Sequence, residues 1–154
     1  MIQVLVGVSD GQLTDSSPCA REGLLGYRRA VDEGGLPTRV VNGDFTRPGA
    51  DRAARHLLAR WPSIDSVFAA SDLMAAGSLS SFAATGRMVP DDIAIVGFDD
   101  TSPSRTALPA LSTVQQPGEE IVALAIQTLL ATPPERPYEQ RLSTQLIVRE
   151  SSTA

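Results

Sequence analysis

The sequence predicts an α/β fold, a parallel sheet flanked by helices, on three observations. Short apolar runs alternate with stretches of helical periodicity from residue 3 to residue 98, the pattern of βαβ units joined by right-handed crossovers. The runs are continuous rather than alternating, 66–70 (SVFAA) and 93–98 (IAIVGF) above all, as parallel strands covered on both faces should be. Polar residues collect where each run stops, Ser71 and Asp72 after one and Asp99 and Asp100 after the other. In open parallel sheets the ligand crevice lies beyond the carboxyl ends of the strands, so these residues stand where a site belongs.

Each element has its own local reason. Residues 3–8 form a first strand, and 9–17 a polar loop. Ser17-Pro18 then starts a helix, a capping hydroxyl ahead of a proline whose missing N–H costs nothing in the first turn. That helix runs to about residue 33, with Leu24, Tyr27 and Val31 on one face, and stops at Gly34-Gly35. Residues 38–42 supply the second strand, 43–49 a loop, and 50–61 a helix in which Ala53, Ala54, Leu57, Leu58 and Trp61 are spaced to pack on a sheet. The third strand, 66–70, turns through Ser71-Asp72 into a helix over 73–85; Gly86 ends it, and 93–98 is the fourth strand. Either Ser71 or Asp72 could cap that helix, and the expectation gives the cap to Asp72. The alternation then breaks into an irregular loop (101–110), an extended stretch (111–115), a helix (118–131), a proline-rich connector (132–138) and a last strand (141–149).

Composition narrows the function classes. A chain of 154 residues has the length of one domain. It is 42% hydrophobic and 20% charged, without a run of apolar residues long enough to span a bilayer. No basic segment precedes an apolar stretch at the N-terminus, so the expectation is a cytoplasmic chain. Eighteen acidic against thirteen basic residues give a net charge of −5 with the arginines scattered, which lacks the cationic footprint that binding to phosphates needs. One Cys19 and one His56 make neither a disulfide nor a Cys/His metal cluster. Neither a metal nor a cofactor is expected.

Five pieces of sequence carry a resemblance. They are Ser71-Asp72-Leu73-Met74-Ala75-Ala76-Gly77; Gly86-Arg87-Met88-Val89-Pro90-Asp91-Asp92-Ile93; Val96-Gly97-Phe98-Asp99-Asp100; Ala107-Leu108-Pro109-Ala110-Leu111-Ser112-Thr113-Val114-Gln115-Gln116-Pro117; and, upstream, Ala20-Arg21-Glu22-Gly23-Leu24-Leu25-Gly26-Tyr27 with Gly43-Asp44-Phe45. In this order they are similar to the effector-binding domain of lactose-repressor-type (LacI/GalR) transcription regulators, a periplasmic-binding-protein-like fold of two lobes. The resemblance implies that residues 1–114 and 140–151 are the C-terminal effector-binding lobe. It makes 115–139 a crossover and one helix of an N-terminal lobe otherwise absent, and it leaves this chain without the DNA-binding headpiece. The implied function is sensing of a small effector, a sugar or related polyol, that controls DNA binding by the headpiece, with a homodimer as partner and no membrane.

A sugar is held by donors and acceptors for its hydroxyls and by an apolar surface for its C–H face. Arg21 on the first turn of the first helix offers a rigid fork of donors, Asp99 a carboxylate for two adjacent hydroxyls, and Phe45 a ring. The resemblance matches these three, and also Ser17, Ser71 and Gln116, to effector-contacting positions. Each has a bland alternative: Arg21 a solvated helix residue, Phe45 a core residue, Asp99-Asp100 a turn. Asp99 is assigned to the ligand and Asp100 to structure. The resemblance also places a self-association surface at Ala76, Ser80, Ala107 and Leu108. In the helix 118–131 it leaves the stripe Ile121, Leu124, Ala125, Thr128 and Leu129 without its partner lobe; such a stripe should not stay exposed, so the helix should project from the sheet domain and pack against another chain, or swing back onto its own domain.

Two rivals share the fold. A sugar carrier of a transport system differs only in its surroundings. An enzyme would need a glycine-rich phosphate loop after the first strand, where VSDGQLTDSSP has one glycine, or a receiver-type lysine in a chain that has none. Paired glycosidase carboxylates would have to face one bond, and Asp99-Asp100 are adjacent and diverge. No enzymatic activity is expected.

Overall fold

Six strands share one sheet, and the helices between them alternate with the strands as the periodicity requires. The computed structural model describes residues 2–7, 18–131 and 139–153. In chain order it contains β1 (Ile2–Gly7), α1 (Pro18–Glu33), β2 (Val40–Gly43), α2 (Arg47–Arg60), β3 (Ser66–Ala69), α3 (Asp72–Ala84), β4 (Ala94–Asp99), α4 (Ser102–Thr106), β5 (Ser112–Gln115), α5 (Gly118–Leu130), β6 (Gln145–Ile147) and a 3-10 turn (Glu150–Ser152). The sheet order is β2-β1-β3-β4-β5-β6. The first five strands are parallel, and only β6 runs against its neighbour, with Val114 opposite Leu146. Parallel pairing puts the ends of β2, β3, β4 and β5 along one carboxyl edge.

One face of the sheet carries α2 and α3 over the larger core. Leu57, Ile64, Met74, Phe82, Ile93, Ile95 and Leu111 are all fully buried there; each such side chain stabilises the fold by roughly 1.5–3 kcal/mol. The two helices come unusually close at Gly77, where a Cβ would lie 2.8 Å from the carbonyl oxygen of Arg47 and 2.9 Å from Cβ of Ala50. On the opposite face α1 packs Leu24, Tyr27 and Val31 against Leu36, Val40 and Phe68. The Tyr27 hydroxyl accepts from the Arg39 N–H at 3.0 Å and donates to the Arg39 carbonyl at 3.1 Å, which ties α1 to the entry of β2.

Several boundaries differ from the sequence expectation for local reasons. The helix predicted over 50–61 starts at Arg47, because Thr46 is its cap, accepting from the Gly49 N–H at 3.0 Å ahead of Pro48 in the first turn. The loop predicted over 101–110 contains α4. The last strand is three residues long, since Arg149 leaves the ladder. Its N–H donates to Ser112 Oγ at 2.7 Å and its guanidinium reaches the Leu111 carbonyl at 2.8 Å. Buried Ser151 then donates to the Ile95 carbonyl and accepts from the Ser112 N–H, stitching the C-terminal segment across β4 and β5.

The helix α5 stands apart. None of its residues is buried, and Leu129 and Leu130 are each 83% exposed. Exposure is not confined to the predicted stripe, since Val122 and Ile126 are also more than half exposed. A helix apolar all round is built to be surrounded.

Candidate functional site at the carboxyl edge

Five of the six residues assigned to the ligand by sequence lie along the carboxyl edge: Arg21 in the first turn of α1, Phe45 after β2, Ser71 after β3, Asp99 at the end of β4 and Gln116 after β5. Ser17 falls outside the described residues. The backbone is unusual at this edge. The only non-glycine residues with positive φ among those described are Phe45 (58°), Asp99 (106°) and Asp100 (54°), conformations that cost free energy and persist only where the surroundings over-determine them.

Two polar clusters do so around Asp99 and Asp100. In the first, the fully buried Asp72 carboxylate accepts from the Thr101 N–H (2.6 Å) and hydroxyl (2.9 Å) through Oδ2, and from the Thr113 hydroxyl through Oδ1. In the second, Asp100, whose side chain is 4% exposed, pairs with Arg149 at 2.6 Å and Arg105 at 2.7 Å. It also accepts from Ser104 and from Gln115 Nε2. Burial works to raise the Asp100 pKa, but the bonds donated by Arg105 and Arg149, with the Arg149 charge and the Ser104 hydroxyl, outweigh it and hold the carboxyl at about 2. Asp100 is thus a structural anchor.

Asp99 is its electrostatic opposite. Burial raises its pKa first; the bond from Gln116 Nε2 lowers it, and the negative charge of Asp72 raises it further, for a net upward shift. Asp99 therefore pairs with an amide rather than a cation, which leaves a poorly solvated carboxylate able to accept hydroxyls. Phe45 is 40% exposed and outside both core clusters, so its alternative reading as a core residue is set aside. The Asp44 carboxylate accepts from the Thr46 N–H at 3.0 Å and holds the turn that presents the ring. Arg21 is exposed.

Ser71 requires a correction to the capping assignment. Its side chain is the cap of α3, accepting from the Met74 N–H at 3.3 Å, and Asp72 is the first helical residue, turned inward. Ser71 keeps its O–H as a donor. Of the self-association residues, Ala76 is buried inside this chain's own core, because it lies on the side of α3 that meets the sheet and α2; it is withdrawn from the surface. Ala107 is half-buried against the same core, whereas Ser80 and Leu108 are exposed. Sequence reasoning placed Asp72 at the edge but as a cap rather than a buried acceptor, and it missed Arg149 altogether. Nothing in a sequence separates a buried carboxylate from a solvated one at a helix start, and the Asp100–Arg149 pair joins residues brought together only by the antiparallel return of β6.

A separate cavity of about 460 Å³ lies at the opposite, amino edge between the ends of α2 and α3, lined by Arg55, Leu58, Ala59, Pro62, Thr85 and Arg87. Its arginines are engaged, Arg55 with Asp51 and Arg87 with the Pro62 carbonyl. No cluster of His, Cys, Asp and Glu suited to a metal occurs among the described residues. No helix among them is long and apolar enough to cross a membrane.

Comparison with known proteins identifies the family of the fold. Residues 6–152 match the family described as periplasmic binding protein-like domain. The transcriptional regulator CelR of Thermobifida fusca is 42% identical over 84% of this chain and 40% of its own length. A solved CelR–cellobiose complex superposes with a TM-score of 0.82 at 38% identity, over 98% of this chain and 46% of that one. A LacI family regulator from Arthrobacter sp. FB24 in complex with lactose gives 0.81 at 28% identity, over 99% and 56%. The chain thus spans about half the length of these relatives or less, and all of them are transcriptional regulators. The chain belongs to the periplasmic-binding-protein-like domain family, in the form carried by LacI-type transcription regulators.

Proposed function

We propose that this chain is the effector-sensing lobe of a LacI-type regulator, binding a sugar at its carboxyl edge and acting by binding rather than by catalysis. The observation that carries the reading is Asp99, a carboxylate at a strand end with raised pKa and an amide as partner, flanked along the same edge by an exposed ring at Phe45. Such a carboxylate accepts from two adjacent hydroxyls. The guanidinium of Arg21 and the O–H of Ser71 add donors, the amide of Gln116 completes the polar set, and Phe45 covers the C–H face of the sugar. Cellobiose and lactose, seen with two related structures, are the first effectors to try.

Residues 115–139 are, in this proposal, the crossover into a second lobe, with α5 as part of that lobe's core. Ligand closing the two lobes would shift the intact dimer between arrangements that bind DNA and arrangements that do not. Ser80, Ala107 and Leu108 form the contact between copies, and DNA is met only through a headpiece outside this chain. The test is titration calorimetry of the full-length protein with cellobiose and lactose, wild type against Asp99→Ala. Loss of charge-assisted bonds should weaken binding by roughly 1.5–3 kcal/mol. Equal affinities would remove Asp99 from the site.

A further inference from the structure

The residue that holds the site in shape is not among those assigned to the ligand. We propose that Asp72 is the positioning residue of this edge: its buried carboxylate clamps both ends of the segment from Gly97 to Thr101 and so fixes the direction in which Asp99 presents its own carboxylate. This rests on the reading of Asp99 as the effector's anchor and adds the group that aims it.

At the near end of the segment, Asp72 lies directly on β4. A Cβ at position 97 would sit 2.4 Å from Asp72 Oδ1 and 3.2 Å from its Cα, so only glycine leaves room for the carboxylate. At the far end, Oδ2 takes both the N–H and the hydroxyl of Thr101. Between these points lie Asp99 and Asp100, the two consecutive left-handed residues. A segment of that kind relaxes unless held on both sides. Oδ1 also takes the Thr113 hydroxyl, and the same Thr113 oxygen accepts from the Asp100 N–H at 3.3 Å. Asp72 therefore joins the start of α3, the end of β4 and the adjacent strand β5 in one buried network. Its partners among the described residues are one backbone amide and two hydroxyls, and each of these bonds comes from, or leads to, the Asp99 segment. A carboxylate serving only as a favourable charge at a helix start would sit in solvent, as surface helices commonly have it.

Two measurements on this chain, with no ligand present, decide the matter: the carboxyl-carbon NMR titration of Asp99 and the hydrogen exchange of the Thr101 amide, the latter compared with Val67 in β3. Asp72→Asn keeps the shape but removes the negative charge and turns an acceptor into a donor. Thr101 should then exchange at least about tenfold faster while Val67 is unchanged, and the Asp99 midpoint should move down as a like charge leaves. Thr113→Val, an isosteric loss of one donor, should speed Thr101 exchange without removing the Asp72 charge, and it decides alone if Asp72→Asn does not fold. A lower melting temperature with unchanged Thr101 exchange and an unchanged Asp99 titration would falsify the proposal and leave Asp72 a core group only. Since neither readout involves a sugar, this failure is separate from failure of the effector reading, which the Asp99→Ala titration decides.

Discussion

The carboxylates of Asp99 and Asp100 are adjacent in the chain and opposite in their electrostatics. Asp100 is held at about 2 by its arginines, against burial, so its folded-state pKa lies below the unfolded value. Its contribution is therefore complete above about pH 4 and disappears as pH falls toward 2, and it amounts to about 2 kcal/mol for a shift of this size. Asp99 is raised, chiefly by burial; its ionisation costs folded-state stability as pH climbs above the ordinary aspartate range. Asp100→Asn should thus lose about 2 kcal/mol in urea unfolding at pH 7 and little near pH 2. An equal loss at both pH values would mean that the ion pairs contribute nothing through charge. The sequence distinguishes these neighbours only by resemblance, because the difference arises from Arg149, 49 positions along the chain and brought alongside by the fold. Ser71 and Asp72 show the same limit: either can cap a helix, and only packing over Gly97 turns Asp72 inward and leaves the cap to Ser71.

At the scale of elements, periodicity and stop signals located the strands and the long helices among the described residues, since each is bounded by turn chemistry and all the long helices but α5 pack on the sheet. What periodicity could not locate were features set by one or two side chains. The start of α2 depends on Thr46 ahead of Arg47-Pro48, a capping hydroxyl followed by a first-turn proline, which periodicity does not register. The closeness of α2 and α3 depends on Gly77, whose hydrogen faces the Arg47 carbonyl. Helix propensity alone says that Gly77→Ala should stabilise α3 by about 1 kcal/mol. Contacts of 2.8 Å and 2.9 Å with a carbonyl oxygen and with Cβ of Ala50 say otherwise, because both neighbours are fixed in a helix and overpacking costs about 1–3 kcal/mol. Net destabilisation of about 1 kcal/mol or more is expected in chemical denaturation, with an unchanged m-value. A more stable variant would show that the two helices separate freely.

For the molecule as a whole, the parallel sheet was legible because parallel pairing follows from the alternation of strands and helices, whereas the role of the last third depends on what surrounds it. The predicted stripe on α5 proved to be part of a helix exposed at all its positions but Leu124, which is half-buried, with Ile121, Val122, Ile126, Leu129 and Leu130 exposed. An element that buries nothing contributes little to the stability of this chain. Leu129→Ala with Leu130→Ala should therefore change the unfolding free energy of the isolated chain by no more than about 0.5 kcal/mol, while Leu57→Ala, in the core beneath α2, should cost about 2–5 kcal/mol. In the full-length protein the same pair on α5 should be costly, several kcal/mol, because there the proposed second lobe surrounds the helix. Urea unfolding of the double variant in both settings measures the difference directly. A large loss in the isolated chain would show that α5 packs against something within it or within a second copy, and light scattering would tell those two apart; no loss in the full-length protein would end the proposal that α5 belongs to the core of another lobe.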